Sequence, residues 1–268
     1  MPEPPRWVVE RDGSRVHLFG ETVGLRAGDE WLTDELRAAV TSSRVLWREA
    51  DRDELSATPL LATYALAGEP LSARLPAGDH ARLDAAAGGV GVDPATLEGL
   101  NPWVAGQVLE SAFRAGAGVD GAHGVDVAIA GLARSSGIPI HSELGDPRAV
   151  FEWFAGLGPE VELDYLRSTL DRVAEGPAEL DRQVAAWLTG DLSVTEAQNR
   201  ALQQGYPRLH QRLLVERNQA WVPRIESLLA DDGTAFVLVG GAHLAGESNI
   251  VDLLARAGLP ARRTDPRP

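Results

Sequence analysis

The run Thr234-Ala235-Phe236-Val237-Leu238-Val239 is apolar on both faces. A strand of that kind belongs at the centre of a sheet covered by helices on both sides. It runs straight into Gly240-Gly241-Ala242-His243. Paired glycines let the backbone turn sharply or let another group approach closely. The chain therefore sets a histidine just past the carboxyl end of a buried strand, where open α/β sheets build their sites.

The remaining pattern agrees with such a sheet. Arg6–Glu10 and Arg15–Gly20 flank Arg11-Asp12-Gly13-Ser14 and predict a hairpin, because Asp-Gly is a strong tight-turn signal. Thr33 is a side-chain N-cap for a helix carrying Leu36, Ala39 and Val40 on one face. Arg44–Glu49 reads as a strand ending on a carboxylate. Residues 51–124 read as helices, with Pro70, Pro76, Pro94 and Pro102 suited to first-turn positions. An amphipathic helix is expected over Val125–Ser136, then a short edge strand over Ile138–Glu143. Helices follow over 147–190, and a long one from Pro207 to Leu229, which Pro223 should bend or divide. A last helix starts near Ser248-Asn249. The expected architecture is α/β: a central mixed sheet with flanking helices in a single domain over 1–268, with residues of about 52–124 forming a helical subdomain.

Composition removes whole classes of chemistry. There is no cysteine, so disulfides, thiol nucleophiles and cysteine-ligated metals are excluded. All 25 basic residues are arginine, which excludes Schiff-base and P-loop lysines. Against 39 acidic residues the net charge is −14, so neither nucleic acid nor an anionic membrane is an expected partner. Met1–Glu10 has no apolar core of a signal peptide, and the default location is the cytoplasm. Abundant Ala, Gly and Arg without Lys points to a GC-rich bacterial genome.

Three residues carry most of the chemical interest. His243 follows the central strand. Glu49 ends another predicted strand and would share the same edge, where the pair could bind a divalent metal or exchange protons. Arg217 falls inside the apolar stripe of the long helix with His210, Leu213, Leu214, Trp221 and Leu228, so it needs a buried carboxylate or an anionic ligand. Asn218 borders that face. His141 and Glu143 alternate on one strand and face the same side. His17, His80 and His123 lack such a setting and read as surface or turn residues.

These segments, in this order, resemble the TraB/GumN family, also called TraB/PrgY or Tiki-like. Leu213-Leu214-Val215-Glu216-Arg217-Asn218-Gln219-Ala220-Trp221 looks like the family's "ll.eRN..w" helix. Val239–Glu247 with Asp252–Gly258 resembles its "vGagHl.G..g...lL...G" pattern. Gly124-Val125-Asp126, Leu46–Asp51 and Trp187–Asp191 resemble "GvD", "lvlE.D" and "W..Gd". The resemblance implies a fold like that of erythromycin esterase and ChaN-like proteins, with a site of two G-x-x-H motifs and a glutamate. It would make Gly240–His243 the second such motif, Glu49 the family glutamate, and Arg217 and Asn218 the polar pair of the helix.

The chain departs from the pattern in two places. Phe19-Gly20-Glu21-Thr22-Val23 corresponds to "lGTiH", so Val23 stands where the first histidine would. Glu143 stands one place early for the second family glutamate. The resemblance implies a peptidase-like hydrolase of amide or ester bonds acting on a peptide or small acyl compound. Glu49, His243 and Arg217 would be catalytic. Asn218, Glu21, His141 and Glu143 would bind substrate. With the first histidine replaced, the expectation is no cofactor, or a weakly bound zinc, manganese or cobalt held by His243 and Glu49 with Glu21 or His141. The alternatives are a non-catalytic peptide or metabolite binder on the same scaffold and a repurposed biosynthetic tailoring enzyme.

Overall fold

The fold is drawn from a computed structural model describing residues 3–22, 24–50, 60, 63–119 and 123–264. Val23, Asp51 and the start of the expected helical subdomain lie outside these. The hairpin forms as β1 (Arg6–Arg11) and β2 (Ser14–Glu21), turning through Asp12 and Gly13, both at positive φ. β3 is Leu46–Arg48, β4 Ile140–Ser142, β5 Thr234–Gly240 and β6 Arg262–Arg263. The sheet order is β4-β3-β5-β2-β1-β6. Strands β4, β3, β5 and β2 run parallel, while β1 pairs antiparallel with β2 and β6. The architecture is an α/β fold with a mixed sheet. β5 is interior, as its apolar faces require, and β4 is an edge.

Strand alternation sorts two cores. Val16, Leu18, Ala235, Val237 and Val239 face one side, beneath Trp221, Ile225, Leu228 and Leu229 of the helix Glu216–Ala230 and Ile250 and Leu254 of the helix Ile250–Arg256. Phe19, Leu46, Phe236 and Leu238 face the other. There they meet Leu36, Ala39 and Val40 of Asp34–Thr41 and Val125, Ile129 and Ala133 of Val125–Ser135. Thr33 caps the first of these helices by accepting from the Leu36 amide at 3.1 Å. Fully burying each of these larger apolar side chains contributes about 1.5–3 kcal/mol, so the two covered faces hold the sheet.

A further helical core lies beside the sheet. Leu71, Leu83, Leu97, Ala105 and Leu109 pack against Leu166 and Leu170 of the helix Pro159–Glu175. Trp103 and Val104 pack with Phe151 of the helix Pro147–Ala155. Pro94, Pro102, Pro147, Pro159, Pro177 and Pro207 all open helical turns, where a missing N–H costs nothing. Pro70 and Pro76 stand one place earlier, at the caps.

Several local expectations shift. The long helix reads Pro207–His210, a π-helical turn over Gln211–Val215, then Glu216–Ala230. Its division therefore falls ahead of Arg217, and the last segment runs on through Pro223. β6 was not expected; two residues in an arginine-rich tail leave no strand pattern. His17 lies in the hairpin strand β2, as expected, but is half-buried rather than a surface residue: its ring lies 6.1 Å from that of Phe236, and burial, aided by Arg6 and Arg15, lowers its pKa to about 4. Among the described residues, no helix is long and apolar enough to cross a membrane.

Candidate functional site

Four parallel strands deliver polar groups to one edge of the sheet. Glu21 ends β2, Glu49 follows β3, Glu143 follows β4, and β5 ends at Gly240, three residues before His243. The Glu143 amide donates to the Arg48 carbonyl at 2.8 Å and the Leu144 amide to the Glu49 carbonyl at 3.0 Å, so Glu49 and Glu143 lie side by side. Both share strand parity with Trp47 and His141, the face covered by the Arg217 helix.

Arg217 and Asn218 enter directly after the π-helical turn. The Arg217 side chain donates from Nη1 to Glu49 Oε2 at 3.3 Å and from Nε to Glu143 Oε2 at 3.1 Å. Its Nη2 also donates to Glu143. The guanidinium carbon lies 5.7 Å from the ring centre of Trp153. Burial would lower the Arg217 pKa, but Glu49 and Glu143 raise it above the ordinary arginine value, so the buried guanidinium is held charged.

His243 is 3% exposed and is carried by a short 3-10 turn, Gly241–Leu244. Its Nε2 lies 3.3 Å from Glu49 Oε1, and its Nδ1 lies 2.6 Å from Asn218 Oδ1. Asn218 Nδ2 donates to the Ser248 carbonyl at 2.9 Å, which turns the amide oxygen toward the ring. That oxygen only accepts, so the network assigns the shared proton to Nδ1. Nε2 is then the nitrogen left to exchange a proton. Burial would raise the Glu49 carboxyl, but His243, Arg217 and the Gly240 amide bond to it hold it well below the ordinary carboxylate range.

The glycines are a packing requirement here. A Cβ on Gly240 would stand 3.2 Å from Glu49 Oε1, and one on Gly241 would stand 3.1 Å from the Glu21 carbonyl oxygen. Either would push the turn away from the carboxylate it serves. Two other contacts brace the edge. Trp187 Nε1 donates to the Gly20 carbonyl at 2.7 Å, and Asn199 Nδ2 donates to the carbonyls of Ala242 and Ala245 at 2.8 and 2.9 Å.

The structure thus brings Glu49, His243, Arg217, Asn218 and Glu143 into one network. Glu143 makes its contacts despite its offset position, because β4 ends level with β3. Asn218 holds the imidazole through Nδ1. Glu21 stands on the opposite face and lines a small pocket with Arg48, Glu49, Ala50, Asp126 and Leu238. His141 is exposed and stacks on Trp47, ring centres 5.0 Å apart, away from the network. Sequence reasoning missed Arg48, which is 2% exposed at the end of β3. Strand alternation opposite Trp47 was the signal for it. It also missed Asn199, which looks in the sequence like any polar residue on a solvated helix.

The donor set does not fit a catalytic metal. Such a zinc takes three protein ligands, and among the described residues no group of three His, Asp or Glu could hold an ion. Glu49 and Glu143 are already engaged by a guanidinium that would repel a cation. Glu21 meets Glu49 only across a small pocket on the opposite face, and His141 stacks on Trp47.

The sequence model of the TraB/PrgY/gumN family matches residues 5–263. No curated protein and no solved structure gives a significant match.

Proposed function

The chain belongs to the TraB/PrgY/gumN family, and we propose that within it this protein is a hydrolase of amide or ester bonds that transfers protons through His243 and Glu49. The observation carrying this reading is the Glu49 carboxylate set between the His243 imidazole and the Arg217 guanidinium, both at 3.3 Å, at the carboxyl ends of parallel strands. Asn218 fixes one imidazole nitrogen, so Nε2 takes the proton of the attacking water as its oxygen bonds to the acyl carbon. Glu49, kept ionised, stabilises the imidazolium that forms. Collapse of the tetrahedral intermediate breaks the bond to the leaving nitrogen or oxygen, which receives that proton from Nε2. Arg217, tied to two carboxylates, supplies positive charge beside the developing oxyanion without reorganising. No step is assigned to a metal.

The test is hydrolysis of a panel of fluorogenic peptides and esters. His243→Ala and Glu49→Gln should each lower kcat/KM by about 10²–10⁴-fold with an unchanged circular dichroism spectrum. Undiminished turnover in either variant refutes the assignment. Stoichiometric zinc, manganese or cobalt in untagged protein would overturn its metal-free form.

One observation favours a second reading, a non-catalytic binder of peptides or metabolites. The charged groups of the network are each engaged by a protein partner. That reading expects Glu49→Gln and His243→Ala to retain biological activity, with no turnover in the parent protein.

A further inference from the structure

A cavity of about 510 Å³ lies between the helix Ser193–Gly205 and the segment 244–252. None of Glu49, Glu143, Arg217 and His243 lines it. Its size falls within the ordinary range of small-molecule sites, about 300–1,000 Å³. Trp7, Leu192, Leu244 and Val251 supply apolar wall, and the rest is polar.

Three features bear on what this cavity could hold. First, Glu196 and Arg200 stand at i, i+4 spacing, which commonly pairs on a helix. Here neither makes an ion pair or side-chain hydrogen bond with the described residues, and both line the cavity. Second, His210 is 7% exposed and lines the same space with no hydrogen-bond partner for its ring among the described residues. Its ring nitrogens face the cavity, so a donor and an acceptor are on offer to a ligand. Burial lowers its pKa, with Glu247 opposing, which keeps the ring neutral and able both to donate and to accept. Third, the wall carries both signs of charge, with Glu196, Glu247 and Asp252 against Arg200 and Arg263.

We propose that this cavity binds a small zwitterion, an amine and a carboxylate on one molecule of amino-acid or dipeptide size. A purely anionic ligand would meet Glu196 and Glu247, and a purely cationic one would meet Arg200. A ligand carrying both ends satisfies each and sets a polar atom on His210. The site shares one wall with the network described above. Asn199 holds the carbonyls of Ala242 and Ala245 from the cavity side, and Asn218 holds that of Ser248 from the other. Occupancy would therefore stiffen the turn that carries His243. Binding itself does not depend on the hydrolase reading.

Isothermal titration calorimetry of the full chain tests it. L-alanyl-L-alanine should bind, and its N-acetylated, C-amidated counterpart should not. Arg200→Ala and Glu196→Gln, both at exposed positions that leave the core intact, should each weaken the dipeptide roughly tenfold. Glu49→Gln should leave its affinity unchanged. No binding of the dipeptide, equal binding of the capped form, or indifference to Arg200→Ala and Glu196→Gln would overturn the proposal. So would loss of binding in Glu49→Gln, which would place the dipeptide in the other site.

Discussion

In the helical part of the molecule, Glu110 is 9% exposed and accepts from Arg114 at 2.8 Å and from Arg172 at 3.1 Å. At the strand ends, Glu49 accepts from Arg217 and meets His243. Burial would raise both carboxyls, and in both the neighbouring basic groups and their hydrogen bonds win and lower them. The electrostatic plan is shared, yet what surrounds the carboxylate differs. Glu110 is gripped by two arginines, groups that hold their protons at any working pH. Glu49 is gripped by one arginine, one imidazole and a backbone amide made reachable by glycine. Only the second cluster contains an imidazole, a ring that can both donate and accept a proton. A lowered carboxylate pKa therefore marks burial beside basic groups, and the histidine is what separates chemistry from scaffolding.

That contrast can be broken most sharply by activity. His243→Ala should cost about 10²–10⁴-fold in kcat/KM, whereas Glu110→Gln should leave kcat/KM per folded molecule unchanged. Equal losses in both variants would erase the distinction.

Stability should rank the clusters in the same order with smaller effects. Glu49→Gln leaves the nearly buried Arg217 with one carboxylate instead of two, and should lower unfolding free energy by roughly 3 kcal/mol. Glu110→Gln should cost about 2 kcal/mol, because Arg114 and Arg172 retain access to water and are rehydrated. Urea denaturation at neutral pH measures both. A costlier Glu110→Gln would invert the comparison.

Acid should weaken both clusters together. Each carboxyl has its folded pKa below its unfolded value. The stability it contributes is fully present above the ordinary glutamate pKa of about 4.3 and is lost as pH falls through the lower folded value. Unfolding free energy should therefore decline below about pH 5, and less steeply in Glu49→Gln than in the parent. A parallel decline in both would show that Glu49 is not held low.

The smallest expected effect concerns a neutral bond. Trp187→Phe removes the donor to the buried Gly20 carbonyl and should cost about 1 kcal/mol, with the thermal midpoint as readout. A loss as large as that of Glu49→Gln would show that aromatic packing against Phe19 and Trp31, rather than the hydrogen bond, braces this edge.

Most of the sheet was legible because its signals are local. Asp12-Gly13 permits the positive φ of a tight turn, Thr33 caps through its own hydroxyl, and the apolar run of β5 has nowhere to sit except between two layers. The strands Arg44–Glu49 and Ile138–Glu143 were visible but came out shorter, as Leu46–Arg48 and Ile140–Ser142. β6 exists only because β1 offers it an edge. At the candidate site, position in sequence was enough to place Glu49 and His243 on one edge of a parallel sheet, and helical spacing was enough to put Arg217 among apolar neighbours. Spacing could not say that Glu143 would reach Arg217 despite its offset, nor that His141 would stack on Trp47. Those outcomes depend on how far β4 slides along β3.

Taken by itself, the sequence determined the class of fold and the kinds of chemistry open to it. Hydrophobic period, caps and turn residues act over a few positions, and an absent cysteine or lysine is absent from every conformation. The tertiary structure alone decided which charges meet. Arg217 and Glu49 are separated by 168 positions and His243 and Asn218 by 25, and what joins them is the register of the parallel strands and the π-helical turn ahead of Arg217. Contacts across such distances are fixed by the packing of whole elements, and no local pattern of residues encodes them.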